Sequence, residues 1–291
     1  MTTALEPELS RYRWSSHDEA DRFPVEDPAT GEVIALVQGG GAAQVNAAVE
    51  AAHRAFQADW RWRPPAERAA LLLKAADVLA EHADELPLLE SRENGKPVAD
   101  ARTNDINFLI FVFRFFGSLV DKLPTDFYDK GAIYTSTYLE PVGVVGEIIP
   151  FNWPPIHAGG NITPALLELG GKDAMIVFDD ADLDRAVRDA AEGGFYNKGE
   201  ACTATSRILV QDGVYDRFVE QLAVAVRKLR VGRGTNPAVH VGPVVSRLQQ
   251  ERVLNYIQIG IDEGATLPGG AATGHHEDHR PAPAGPPGSA G

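Results

Sequence analysis

Ala174-Met175-Ile176-Val177-Phe178, then Asp179-Asp180, then an apolar stripe at Leu183, Ala186, Val187, Ala190 and Ala191, and finally Arg207-Ile208-Leu209-Val210 form the stretch that decides the fold. The first run is short, apolar and rich in strand formers. The stripe recurs at helical spacing, and the acidic pair stands where a helix N-terminus favours negative charge. Gly193-Gly194 reads as the helix end. Strand, helix and strand in that order call for a crossover that lays the two strands parallel, so the expected class is α/β.

Outward from this unit the alternation continues. Val214 to Leu229 is a further helix, and Ser246-x-x-Gln249 caps a last one reaching about Ile261. Toward the N-terminus, Asp27-Pro28-Ala29-Thr30-Gly31 is a turn between two short strand-forming segments, the second being Val33 to Val37. Two amphipathic helices follow, with stripes at Val45, Ala48, Val49, Ala52 and Phe56 and at Ala69, Leu72, Leu73, Ala76, Leu79 and Ala80. Pro64 and Pro65 stand at the start of the second, where a missing N–H costs nothing. Ile106 to Val120 is the most apolar run and reads as a buried helix. Ala132 to Gly146 is strand-rich, and Val144 to Ile149 reads as a buried strand leading into Pro150-Phe151-Asn152-Trp153-Pro154. From Gly269 on, Gly, Ala, Pro and His dominate without apolar period, which predicts a disordered tail.

Composition narrows the function. A chain of 291 residues with 44% hydrophobic and 23% charged residues is that of a globular protein. The net charge of −14 argues against a nucleic-acid partner, because phosphate binding needs a basic surface. Ile106 to Val120 carries Asn107 and Arg114 and is too short for a bilayer span, and Met1 to Pro24 has no apolar leader pattern. No membrane association and a cytoplasmic location are the expectation. A single cysteine, Cys202, excludes an internal disulfide, and no Cys/His grid suggests structural zinc, so no metal is expected.

Cys202 lies in Phe195-Tyr196-Asn197-Lys198-Gly199-Glu200-Ala201-Cys202-Thr203, downstream of Leu167-Glu168-Leu169-Gly170-Gly171-Lys172. A thiolate is a strong nucleophile toward a carbonyl, and a carboxylate can activate the water that later cleaves a thioester. Each residue also has a plainer reading. A lone cysteine can be a small buried apolar residue. Glu168 can pair with Lys172, Asn152 can start a turn, and the glycine pairs can end helices.

Taken together, Pro150 to Pro154, Leu167 to Lys172 and Asn197-x-Gly199-x-x-Cys202 resemble the signature set of the aldehyde dehydrogenase superfamily. The flanking Glu140-Pro141-Val142-Gly143-Val144-Val145-Gly146 and Val241-Gly242-Pro243-Val244-Val245-Ser246 agree, and the resemblance spans roughly residues 20 to 270. It implies a Rossmann-type cofactor domain, here incomplete, beside a parallel-sheet catalytic domain. It implies oxidation of an aldehyde substrate to an acid with NAD or NADP. Cys202 would attack the aldehyde carbon, the Asn152 amide and the Cys202 N–H would form the oxyanion hole, and Glu168 would activate the hydrolytic water. Ile149, Pro150, Trp153, Leu169 and Gly170 fall where members of the family contact the cofactor. Such members are homo-dimers or homo-tetramers.

The chain departs from that pattern. Pro154 to Gly160 runs straight into Asn161-Ile162-Thr163-Pro164, which in the family lies after further strands, and no Lys-Pro-Ser-Glu-like segment or G-x-G-x-x-G is present. The expected organisation is an N-terminal region with the start of the cofactor domain over 1–160, an incomplete catalytic domain over 161–268 and the tail over 269–291. Impaired cofactor binding and doubtful turnover follow, along with an incomplete subunit interface and a truncated C-terminal end. A non-catalytic remnant or regulator, or a weak thiol esterase without hydride transfer, stands as the alternative.

Overall fold

The computed structural model describes residues 22–155 and 170–267. Glu168, Leu169 and the tail from Gly269 lie outside the described residues. Strand β1 (Arg22–Glu26) pairs antiparallel with β2 (Val33–Gln38) across the expected turn, where the Gly31 N–H donates to the Asp27 carbonyl at 2.7 Å.

Helices α1 (Ala42–Ala58) and α2 (Pro65–Glu81) form as the periodicity predicts, with Pro65 in the first turn of α2. Their environments differ. Helix α1 buries none of its residues, and Val45 and Val49 of its stripe are exposed. Helix α2 packs along α4 (Asn107–Leu119), and Ala76, Ile106 and Ile110 make a small core with Leu79, Ala80, Ala83, Leu86 and Phe113 around it. Only one side of α4 is buried. Phe108, Phe111 and Phe115 form a ring ladder, with centroids 5.9 and 5.8 Å apart, on an exposed side. The buried helix expected over Ile106 to Val120 is thus buried along one side and exposed along the other.

Between α2 and α4 the chain makes α3 (Leu86–Asn94), ended by Gly95 in a left-handed conformation, then a wide π-type turn over Ala101–Ile106. Beyond α4, β3 (Phe127–Asp129) and β4 (Tyr134–Ser136) make a short, wholly exposed antiparallel pair. Val144 to Ile149 does not form the expected strand, and Ile148 is 99% exposed. A strand exists only by pairing its backbone groups, and among the described residues no partner strand lies beside this one, so its N–H and C=O groups turn to water.

The deciding stretch folds as read. β5 (Asp173–Val177) lies parallel to β6 (Thr205–Val210), joined by α5 (Leu183–Phe195), whose start is capped by the Asp182 carboxylate accepting from the Arg185 N–H at 3.1 Å. Helix α6 (Asp212–Arg227) packs on α5. Val177, Ala186, Val187, Ala190 and Phe218 are the buried centre of this unit, ringed by Met175, Leu183, Ile208, Val210, Leu222 and Ala225. Gly193 and Gly194 do not end α5, which runs on to Phe195. A side chain at Gly193 would collide with the Thr205 hydroxyl, so the glycine lets the helix press onto β6. Helix α7 (Arg247–Asp262) begins as expected, with the Ser246 hydroxyl accepting from the Gln249 N–H at 3.2 Å. No helix among the described residues is long and apolar enough to cross a membrane.

Candidate active site

Past α5 the chain turns through Asn197, Lys198 and Gly199, all three with positive φ (46, 64 and 78°), before Cys202. Left-handed backbone is ordinary for glycine and tolerated by asparagine, but for Lys198 it is strained. Contacts from other parts of the chain hold the loop. The Asn152 side-chain amide donates to the Glu200 carbonyl at 2.8 Å, and the Asn197 amide donates back to the Asn152 carbonyl at 3.1 Å. The asparagine singled out in the sequence is therefore bonded to the loop that bears the cysteine, two residues ahead of it. An amide carries two N–H donors, and one is spent on Glu200; the bond fixes the plane in which the second points.

Cys202 is a half-buried free thiol. Its own carbonyl lies against Gly171, where a side chain would have no room, so the backbone at Gly171, next to Gly170, passes directly beside the cysteine loop. Gly170 is itself left-handed, with φ of 69°. Trp153 faces Tyr196 with centroids 5.7 Å apart, and the Lys96 ammonium stands 4.3 Å from the Trp153 ring centre. Ile149 and Pro150 lie in irregular chain and not at a strand end. The structure thus brings Asn152, Trp153, Gly170 and Cys202 to one locality around the loop.

Beneath this locality is a buried polar cluster that the sequence reading passed over. Lys96, fully buried, donates to the Asp105 carboxylate at 2.7 Å and to the Asn152 carbonyl at 3.1 Å, and stands 3.4 Å from Glu90. Asn94 donates to the Phe151 carbonyl at 2.8 Å. Lys198, its side chain also fully buried, donates to the Asn94 carbonyl at 2.7 Å and to the Asn94 side-chain oxygen, and lies 3.0 Å from Glu200. Burial raises the Glu90 pKa to about 7 against the pull of Lys96, and it raises Asp105 for the same reason. Burial lowers Lys198, opposed by Glu200. The structure alone reveals this cluster: Glu90, Ser91 and Asn94, polar and within about one turn of α3, are all buried. A polar stripe on the inner side of a short helix marks a site or a structural network.

Among the described residues no group of His, Cys, Asp and Glu is arranged to hold a metal. For a dinucleotide the fit is partial. The side-chain-free backbone at Gly170-Gly171 permits close approach beside Cys202, but the parallel sheet of the described residues is two strands wide and offers no crevice between neighbouring strand ends.

Known proteins resemble this chain in sequence and fold. The family model described as "Aldehyde dehydrogenase family" matches residues 14–167 and 156–284, two stretches that meet where Gly160 runs into Asn161. Aldehyde dehydrogenase citD of Monascus ruber is 42% identical over 342 aligned positions, covering 90% of this chain and 68% of the relative. An aldehyde dehydrogenase of Didymella fabae is 39% identical, covering 87% and 68%. The solved structure of a Bacillus cereus aldehyde dehydrogenase in complex with NAD+ superposes with a TM-score of 0.78 at 30% identity, over 85% of this chain and 67% of that one. The 342 aligned positions outnumber the 291 residues of the chain, so the relative carries residues inside the shared stretch that this chain lacks. With the family match running over most of its length and relatives 42% and 39% identical over 90% and 87% of it, the chain belongs to the aldehyde dehydrogenase family, in a form shortened within the stretch it shares with its relatives.

Proposed function

We propose that this chain carries the family's aldehyde-oxidising chemistry at Cys202, with the covalent half retained and the hydride half weakened by the missing residues. The observation that carries the reading is the reciprocal bonding of Asn152 to the cysteine loop, at 2.8 and 3.1 Å. Cys202 as thiolate adds to the aldehyde carbon, forming the C–S bond as the carbonyl π electrons move to oxygen. The free N–H of Asn152 and the Cys202 backbone N–H meet that charge, and one such donor is typically worth about 3–4 kcal/mol. The chemistry that NAD(P)+ would supply when bound is an acceptor for the hydride leaving that same carbon. Glu168 takes a proton from the water that cleaves the resulting thioester, releasing the acid and the thiol. Trp153, Gly170, Ile149, Pro150 and Leu169 are the residues that would hold the cofactor. The chain divides into a cofactor-side region to residue 160 and a catalytic region over 161–268.

A second reading follows from the two-stranded sheet. Thiol attack needs no dinucleotide, so an activated ester can be cleaved where an aldehyde is not oxidised. The test is to offer the purified chain an aldehyde with NAD+ or NADP+, and separately a chromogenic ester. Ester cleavage abolished by Cys202→Ala, together with little NAD(P)H formation, is the expected pattern. Robust NAD(P)H formation would remove the proposed weakness of the hydride half. Neither activity, with Cys202 unreactive in the native chain, would overturn the assignment of Cys202.

A further inference from the structure

Lys198 stands inside the strained loop, yet its ammonium turns away from it and into the protein. There it bonds both oxygens of Asn94 and lies 3.0 Å from Glu200. Asn94 in turn holds the Phe151 carbonyl at 2.8 Å, one residue before Asn152, and Glu200 accepts from the Val245 N–H at 3.4 Å. Lys96, carrying Asp105 and Glu90, holds the Asn152 carbonyl from below. Phe151, Asn152 and the residues from Asn197 to Glu200 are thus tied to one buried set of charges. A lone buried charge is costly, whereas an ion pair anchored by further hydrogen bonds, as Lys198 is to Asn94 and Glu200 to the Val245 N–H, favours one geometry.

We infer that the buried Lys198–Glu200 pair is a positioning device: it holds Asn197, Lys198 and Gly199 left-handed and so sets Cys202 against the Asn152 amide. The inference rests on Cys202 being the nucleophile. Neither charge need touch substrate, and both act through the loop. Lys198→Met removes the ammonium while keeping the stem, so Glu200 is left buried without its cation and the loop is free to relax. Displacement of a reacting group by an ångström costs up to about a hundredfold in rate.

The test reads thiol alkylation, which needs no cofactor. Native chains of wild type, Lys198→Met, Glu200→Gln, the double variant and the exposed control Lys228→Met are treated with iodoacetamide across a pH series. Circular dichroism and melting temperature are recorded for each. Expected is a fall of about ten- to a hundredfold in the plateau rate for Lys198→Met with the pH midpoint unchanged, and wild-type rates once every chain is denatured. The double variant should react faster than Lys198→Met, because it leaves no unpaired charge. Where Lys198→Met does not fold, Glu200→Gln decides; it keeps the size of the side chain and an acceptor for Val245. Plateau rates within twofold of wild type would overturn the inference, and so would a shift in midpoint alone, which would make Lys198 a direct electrostatic partner of the thiol. A wild-type chain that reacts only when denatured overturns the role of Cys202 itself.

Discussion

A Cβ placed on Gly171 would stand 2.7 Å from the carbonyl oxygen of Cys202. Real Cβ atoms do not come so close to a backbone oxygen, so one of the two backbones must move. Gly171→Ala should therefore displace the cysteine loop and slow native alkylation of Cys202 about tenfold, at a stability cost of about 1–3 kcal/mol. A variant that alkylates and melts like wild type would show that the 170–171 backbone yields without disturbing Cys202.

Acidity should affect this chain with an unusual sign. Glu90 is raised to about 7, chiefly by burial, and Glu93, Asp100 and Asp105 are raised as well. A carboxyl whose pKa is higher folded than unfolded binds more protons in the native state. Its contribution is whole below the ordinary glutamate pKa of 4.5 and is lost as pH rises through about 7. Stability should fall between pH 5 and pH 8, with Glu90 contributing on the order of 3 kcal/mol, and melting temperature should fall with it. Glu90→Gln should flatten that slope. An equally steep slope in the variant would assign it to other groups.

Helix α7 buries none of its residues, so its end interactions matter more than usual. Ser246→Ala removes the hydroxyl that satisfies the Gln249 N–H, and the loss should be about 1 kcal/mol. Hydrogen exchange over 247–252 should quicken while β5 and β6 stay protected. Uniform quickening across the chain would mean that α7 does not open independently.

The ladder of Phe108, Phe111 and Phe115 lies exposed together with Val142, Val145, Ile148 and Phe151. Exposed apolar side chains in this number, with three phenylalanines forming one ladder, favour association. Sedimentation of the purified chain should show concentration-dependent species, and Phe111→Ser with Phe115→Ser should reduce them. A single monomeric boundary at all concentrations would mean that the surface is covered in solution.

The local rules carried the sequence far in some places and failed in others for definable reasons. The β5–α5–β6 unit was legible because each part buries against the next in sequence: Val177, Ala186 and Ala190 meet Phe218 within about forty residues. The Ser246 cap was legible because it involves only four residues. Val144 to Ile149 misled, because its strand pattern is local but its ladder partners are not. Gly193 misled in the other direction: its close approach to Thr205 comes from the tertiary packing of α5 on β6. At the site, Asn152, Trp153, Gly170 and Cys202 could be named from their motifs. Lys96, Asn94 and Lys198 could not, because nothing in a sequence tells a buried lysine from a solvated one; beside the near neighbours Glu90 and Glu200, they bond Asp105, Phe151, Asn152 and each other across 9 to 104 residues.

Lys198 gives a last consequence, for anyone wishing to make this protein sturdier. A non-glycine residue held at φ of 64° stores backbone energy that a glycine would release, and replacing it is a routine stabilising change. Here the same replacement would also withdraw the ammonium from Asn94 and Glu200. Hardiness and thiol reactivity are therefore set against one another at a single codon, and selection for heat resistance alone would be expected to dull the cysteine.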